Sequence, residues 1–177
     1  MRDENLYDPC LRQGEAVFLH YLHAHGAKYV VIGSHAVLLY VGDRDEAVND
    51  LDVVIECSKE NAAKVYDAVQ DYYPGLLTKQ AIDRLAQPRK RLDFSIGDPI
   101  EIFTSTDSPE LSFDDLLRDS SEVHVSIVVG NLSEKSEFEV PFVSKAHLLQ
   151  LKQEAISDPE RDENKRAQDQ RDVKALQ

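Results

Sequence analysis

Two short β-branched runs constrain this chain more than any other feature: Tyr29-Val30-Val31-Ile32 and Leu51-Asp52-Val53-Val54-Ile55. Each is long enough for one strand, and each is apolar on both faces, the pattern of a central strand covered on two sides. Gly33-Ser34 closes the first run, and a polar loop from Gly42 to Asn49 leads into the second, where a strand is expected from Leu51 to Glu56. At the mouth of the second run stand Asp50 and Asp52. Strand side chains alternate, so both carboxylates point the same way, about 7 Å apart along the backbone. Two like charges on one face of an apolar strand repel each other and resist desolvation. A cation offsets both costs, and a hard divalent ion with oxygen ligands fits best. The plainer alternative is a strand-edge pair that caps a turn or meets Arg or Lys.

The rest of the chain supplies layers for these strands. Residues 12 to 25 carry Ala16, Phe18, Leu19 and Leu22 at helical spacing, with Gly26 placed to end the helix. A short helix is expected from His35 to Tyr40 with Ser34 as its N-cap, and a longer one from Ser58 to Tyr72, stopped by Pro74-Gly75. Residues 76 to 103 hold three short segments, the last two at Arg91 to Ile96 and Ile100 to Phe103 around an Asp98-Pro99 turn. A helical turn at Phe113 to Leu117 precedes a hairpin, Val123 to Val129 and Glu137 to Val143, around Gly130-Asn131. Lys145 to Ile156 and Asp162 to Leu176 read as closing helices. The expectation is an α/β (α+β) layer fold with a mixed sheet flanked by helices. Residues 1–177 are expected to form one domain, with a core over about 12–130 and a C-terminal hairpin and helices over about 131–177.

Charge and composition narrow the partners. A formal net charge of −13 opposes broad binding to DNA or other nucleic acid, whose phosphates it repels at long range. It still permits a small basic patch that grips one nucleotide or one RNA end. No apolar run reaches the roughly 20 residues a membrane span needs, and Met1 to Asn5 lack the apolar core of a signal peptide. Cys10 and Cys57 read as reduced thiols. A cytoplasmic location is expected.

An aligned acid pair behind a Gly-Ser turn is suited to phosphoryl transfer, which asks side chains mainly for positioning and charge neutralisation. Asp50 and Asp52 can bridge divalent ions. Gly33 lets the backbone approach a phosphate closely, and Ser34 with the following helix N-terminus can donate hydrogen bonds to it. A third acid is expected from a neighbouring strand. Glu101 alternates with Ile100 and Ile102 and is preferred, with Asp93 in Arg91-Leu92-Asp93-Phe94 as the other candidate.

These residues resemble the polymerase β-like nucleotidyltransferase superfamily, in particular its small minimal, toxin–antitoxin-type branch. The likeness rests on Gly33-Ser34, on Asp50-Leu51-Asp52 some 17 residues later, on Ile100-Glu101-Ile102-Phe103, and on a C-terminal pattern. That pattern runs from Val140-Pro141-Phe142-Val143-Ser144 through the helix bearing Lys152 to Arg166-Ala167-Gln168-Asp169-Gln170-Arg171-Asp172. The resemblance implies a Mg²⁺- (or Mn²⁺-) dependent enzyme that moves a nucleoside monophosphate from an NTP to an acceptor, whether protein hydroxyl, RNA 3′ end or small molecule. Under it Asp50 and Asp52 hold the metal, and Glu101 completes the shell or takes the acceptor proton. Gly33 and Ser34 hold the β- and γ-phosphates. One departure favours a rival. Relatives carry Arg and Thr four and two positions before the first aspartate, where this chain has Glu46 and Val48. An inactive binding module on the same fold, an antitoxin or regulatory partner, is that rival.

Other chemistry-bearing residues read more plainly. His20, His23 and His25 lack partners to complete a zinc shell and read as a polar helix end. His35 is a helix-start histidine with a phosphate contact as its alternative. Arg89-Lys90-Arg91 is a solvated loop or, on so acidic a chain, the best candidate to grip triphosphate. Lys152, Arg166, Asp169 and Asp172 are expected to pack the closing helices through i,i+3 pairs, with Lys152 a lesser candidate for a phosphate contact.

Overall fold

A computed structural model describes residues 6–44, 47–95, 97–106, 108–129 and 134–177. Glu46, the end of the expected segment at Ile96, and the Gly130-Asn131 turn lie outside the described residues. The chain runs α1 (Gln13–Ala24), β1 (Tyr29–Ile32), α2 (Gly33–Val41), β2 (Leu51–Ile55), α3 (Lys59–Tyr72) and α4 (Gln80–Leu85). It continues through β3 (Arg91–Phe94), β4 (Ile100–Phe103), α5 (Phe113–Arg118), β5 (Ser121–Val129), β6 (Glu134–Phe142), α6 (Lys145–Ser157) and α7 (Glu163–Leu176).

The strands form a six-stranded mixed sheet in the order β3-β4-β2-β1-β6-β5. β1 and β2, the two β-branched runs, are its centre and pair antiparallel, with Ile32 opposite Asp52. β2 pairs parallel with β4, β3 closes one edge antiparallel to β4, and β6 runs parallel to β1. Val30, Val53, Ile55, Ile100, Ile102 and Phe142 are fully buried in the sheet and belong to one core with Phe18, Leu19 and Leu22 of α1. Each such side chain contributes roughly 1.5–3 kcal/mol of transfer free energy, which is why these runs, and not the charged ones, choose the centre. α1 packs beside α3, while α2 lies between the sheet and the α6–α7 pair.

Local chemistry sets the helix ends. Ser58 caps α3 by accepting from the Asn61 amide at 3.1 Å, and Asp162 caps α7 by accepting from the Asn164 and Lys165 amides. α2 corrects the expected start. Gly33 takes φ +68°, so the chain turns into the helix at once; Ile32 occupies the N-cap position and Ser34 sits inside the first turn. The hairpin also starts earlier than expected on both arms, since Ser121 pairs with Phe142 and Glu122 with Pro141.

One consequence of this order matters for chemistry. The C-terminal end of β1, the N-terminal ends of β2 and β4, and the outer part of β3 all meet at one rim of the sheet.

Candidate functional site

At that rim Asp52 faces Ile32 across one ladder and Glu101 across the other. Asp50 lies one residue before β2. Asp50, Asp52 and Glu101 each present a carboxylate oxygen, and these oxygens lie within 4.8 Å of one another. The arrangement is electrostatically costly. Burial, reinforced by Asp50 and then Glu101, pushes the Asp52 carboxyl up to about 8, against the opposing pull of Lys152 and Arg91. Burial also raises the Glu101 carboxyl, with Arg91 acting the other way. A divalent cation among the three oxygens relieves both effects, so the donor set fits a hard metal. Asp93 is not part of the cluster. It sits opposite Glu101 on the edge strand, with its side chain 54% exposed, and accepts from Arg91 Nε at 2.5 Å.

Gly33 presses directly on the acids. A Cβ there would overlap Asp52 Oδ2 and stand 2.8 Å from its Cγ. No side chain caps the α2 N-terminus, so the first-turn amides and the positive end of the helix dipole stand beside the Asp52 carboxylate. Gly33→Ala is expected to lower stability by about 2 kcal/mol through the left-handed backbone alone, and further through the displaced Asp52 side chain. Chemical denaturation of wild type and variant checks this.

Sequence reasoning missed the charges that hold the rim together. Glu15 reaches back to the start of α1, where the Arg12 amide donates to Glu15 Oε2 at 2.7 Å and the guanidinium pairs with the same carboxylate. The Arg12 guanidinium also donates to the Asn49 carbonyl at 3.1 Å and lies 3.4 Å from Asp98. His35, buried rather than facing a phosphate, has Nδ1 2.7 Å from the Pro9 carbonyl and Nε2 3.2 Å from Glu15. The group therefore touches the residue after Gly33-Ser34, the residue before Asp50 and the turn before Glu101. The i,i+3 spacing of Arg12 and Glu15 was a legible signal for their ion pair; the partners in the distant loops had none.

Lys152 is likewise engaged. It reaches across from α6 to Asp169 at 2.7 Å and Asp172 at 2.9 Å on α7. Arg161 joins Asp169, and Arg44 makes two 3.0 Å hydrogen bonds to Asp172. Burial alone would raise the Asp172 carboxyl, but Arg44 and Lys152 hold it below its usual range. Lys152 thus links α6 to α7, and Arg44 and Arg161 reach α7 from loops, in place of the expected i,i+3 pairs; Arg166 binds the carbonyls of Asp158 and Arg161. The His20 ring meets Phe138 edge-on and the His23 ring lies tilted against it, while His25 pairs with Asp71.

No protein-family model matches the chain, and no curated protein matches it in sequence. Among solved structures the chain is similar to an antigenic nucleotidyltransferase-like protein from Paracoccidioides brasiliensis, with a TM-score of 0.52 and 16% identity. The match covers 91% of this chain and 72% of that one. The mixed α+β fold described above is thus nucleotidyltransferase-like. Among the described residues no helix is long and apolar enough to cross a membrane.

Proposed function

We propose that the chain is a Mg²⁺- or Mn²⁺-dependent nucleotidyltransferase that transfers a nucleoside monophosphate from an NTP to a protein, RNA or small-molecule acceptor. The observation that carries this reading is the convergence of Asp50, Asp52 and Glu101 beside the uncapped start of α2. Asp50, Asp52 and Glu101 would hold the metal, which when bound supplies positive charge at the nucleotide's phosphates. The amides of Gly33 and Ser34 donate to the β- and γ-phosphates, where the helix dipole favours negative charge. The acceptor oxygen attacks the α-phosphorus, its proton passes to a carboxylate of the site, and the bond to the β-phosphate breaks to release pyrophosphate. Lys152 acts from a distance: held by Asp169 and Asp172, it lowers the Asp52 carboxyl without a bond to it. The C-terminal pattern supports a place in the toxin–antitoxin-type branch and, with the sequence reading, a cytoplasmic role.

A second reading has its own support. The Glu101 carboxylate is already bonded to Arg91, at 2.5 Å, and Val48 stands where relatives carry a polar residue. An inactive module that binds nucleotide without turnover fits those two features. Incubating the protein with each α-labelled NTP, Mg²⁺ and cell extract separates the readings. Label moved to an acceptor and lost on EDTA treatment supports the enzyme. Nucleotide retained with no label moved supports the module. Absence of any nucleotide or Mn²⁺ binding would sink both.

A further inference from the structure

Arg91 is bonded into the acid cluster in a way the proposed reaction does not use. Its NH2 group donates to Glu101 Oε1 at 2.5 Å and its Nε to Asp93 Oδ1 at 2.5 Å. The guanidinium carbon lies 5.7 Å from the centre of the Phe103 ring, the residue opposite Arg91 in the β3–β4 ladder. Both strands and the ring thus hold the cation in one place, yet its side chain remains 46% exposed on the edge strand. Among the described residues no other cationic side chain is bonded to Asp50, Asp52 or Glu101. Lys152 is spent on α7, and Arg12 on Glu15, Asn49 and Asp98.

We infer that Arg91 is a built-in counter-ion that competes with the divalent metal for Glu101. The inference rests on the metal-site reading above. Its physical basis is simple charge balance. In the metal-free protein Arg91 neutralises part of a cluster of carboxylates at the rim. An arriving cation must share Glu101 with a like charge or displace it. Displacement is accessible because Arg91 sits at the open edge, where its long side chain can swing into water. The freed guanidinium then lies within reach of the same rim and is suited to a phosphate, which it grips as a planar fork. Metal alone therefore binds weakly, and a triphosphate gives Arg91 an alternative partner.

Mn²⁺ alone, titrated calorimetrically into the purified full chain, tests this without activity or nucleotide. Arg91→Gln is expected to tighten Mn²⁺ binding by roughly threefold to tenfold, the range an ion pair of intermediate exposure supports. Arg91→Lys keeps the charge and should stay near the wild-type affinity. Arg89→Gln, two residues upstream in an exposed loop, removes the same charge without a bond to the acids and serves as the control for the overall field. Equal affinity in wild type and Arg91→Gln, or equal tightening by Arg89→Gln, overturns the competition while leaving the metal site standing. If neither wild type nor Arg91→Gln binds Mn²⁺, the metal reading fails and the competition fails with it.

Discussion

Asp50→Asn and Asp52→Asn are each expected to cut transfer of labelled nucleotide by on the order of 10²–10³-fold, the scale of losing one preorganised electrostatic group. Both changes keep the shape of the side chain and remove the charge that a metal needs. The same charge opposes folding of the metal-free protein, since burial and the neighbouring acids together push the Asp52 carboxyl up to about 8. Asp52→Asn should therefore melt at a higher temperature than wild type in EDTA, while losing the stabilisation that Mg²⁺ gives the wild type. Loss of transfer with a raised melting temperature identifies a site that trades stability for function. Wild-type transfer in either variant would remove the carboxylates from the chemistry. A lowered melting temperature for Asp52→Asn would mean that the charge has a stabilising partner.

The second large effect lies away from the triad. Glu15 is fully buried and receives Arg12 and His35. Burial alone would raise its carboxyl, but the hydrogen bonds from His35 and Arg12 pull it from 4.5 down to about 2. A depression of that size corresponds to about 3 kcal/mol of folding free energy, and Glu15→Gln should cost roughly that amount at neutral pH because it removes the buried charge that Arg12 and His35 contact. The direction with pH follows from the lowered value. The contribution is complete above about 4.5 and disappears as pH falls toward 2. Urea unfolding of wild type and variant at pH 7 and pH 3 checks this, and the gap between them should narrow in acid. A gap that is unchanged at pH 3 would show that packing, and not the carboxylate charge, is what Glu15 supplies.

Much of this fold was legible because its signals are local. Val30, Val31, Val53 and Val54 announce central strands by branching alone, and Ser58 and Asp162 mark helix starts by side-chain chemistry that needs no distant partner. Asp50, Asp52 and Gly33 stand out for the same reason, and alternation with Ile100 and Ile102 assigns Glu101 to the polar face of its strand. The rest depended on pairing between segments far apart in the chain. Arg91 meets Glu101 only because β3 folds back along β4, and Arg12 meets Asn49 only because α1 begins at the rim. Ser34 misled as a cap since glycine's left-handed backbone lets α2 start two residues sooner than side-chain rules suggest. Lys152 misled in another way: spacing within α6 and α7 is visible in sequence, but the crossing of the two helices is not.

The parallel pairing of β2 with β4 sets one further property of the site. Asp52 and Glu101 are direct partners in that ladder, so their backbones are separated by the spacing between hydrogen-bonded strands, about 4.8 Å. That gap is fixed by main-chain bonds on both sides and does not wait for a guest to draw it together. Under the metal-site reading, a cation would meet two acids whose backbones already stand at a fixed spacing, so that only side chains, Arg91 among them, would have to move.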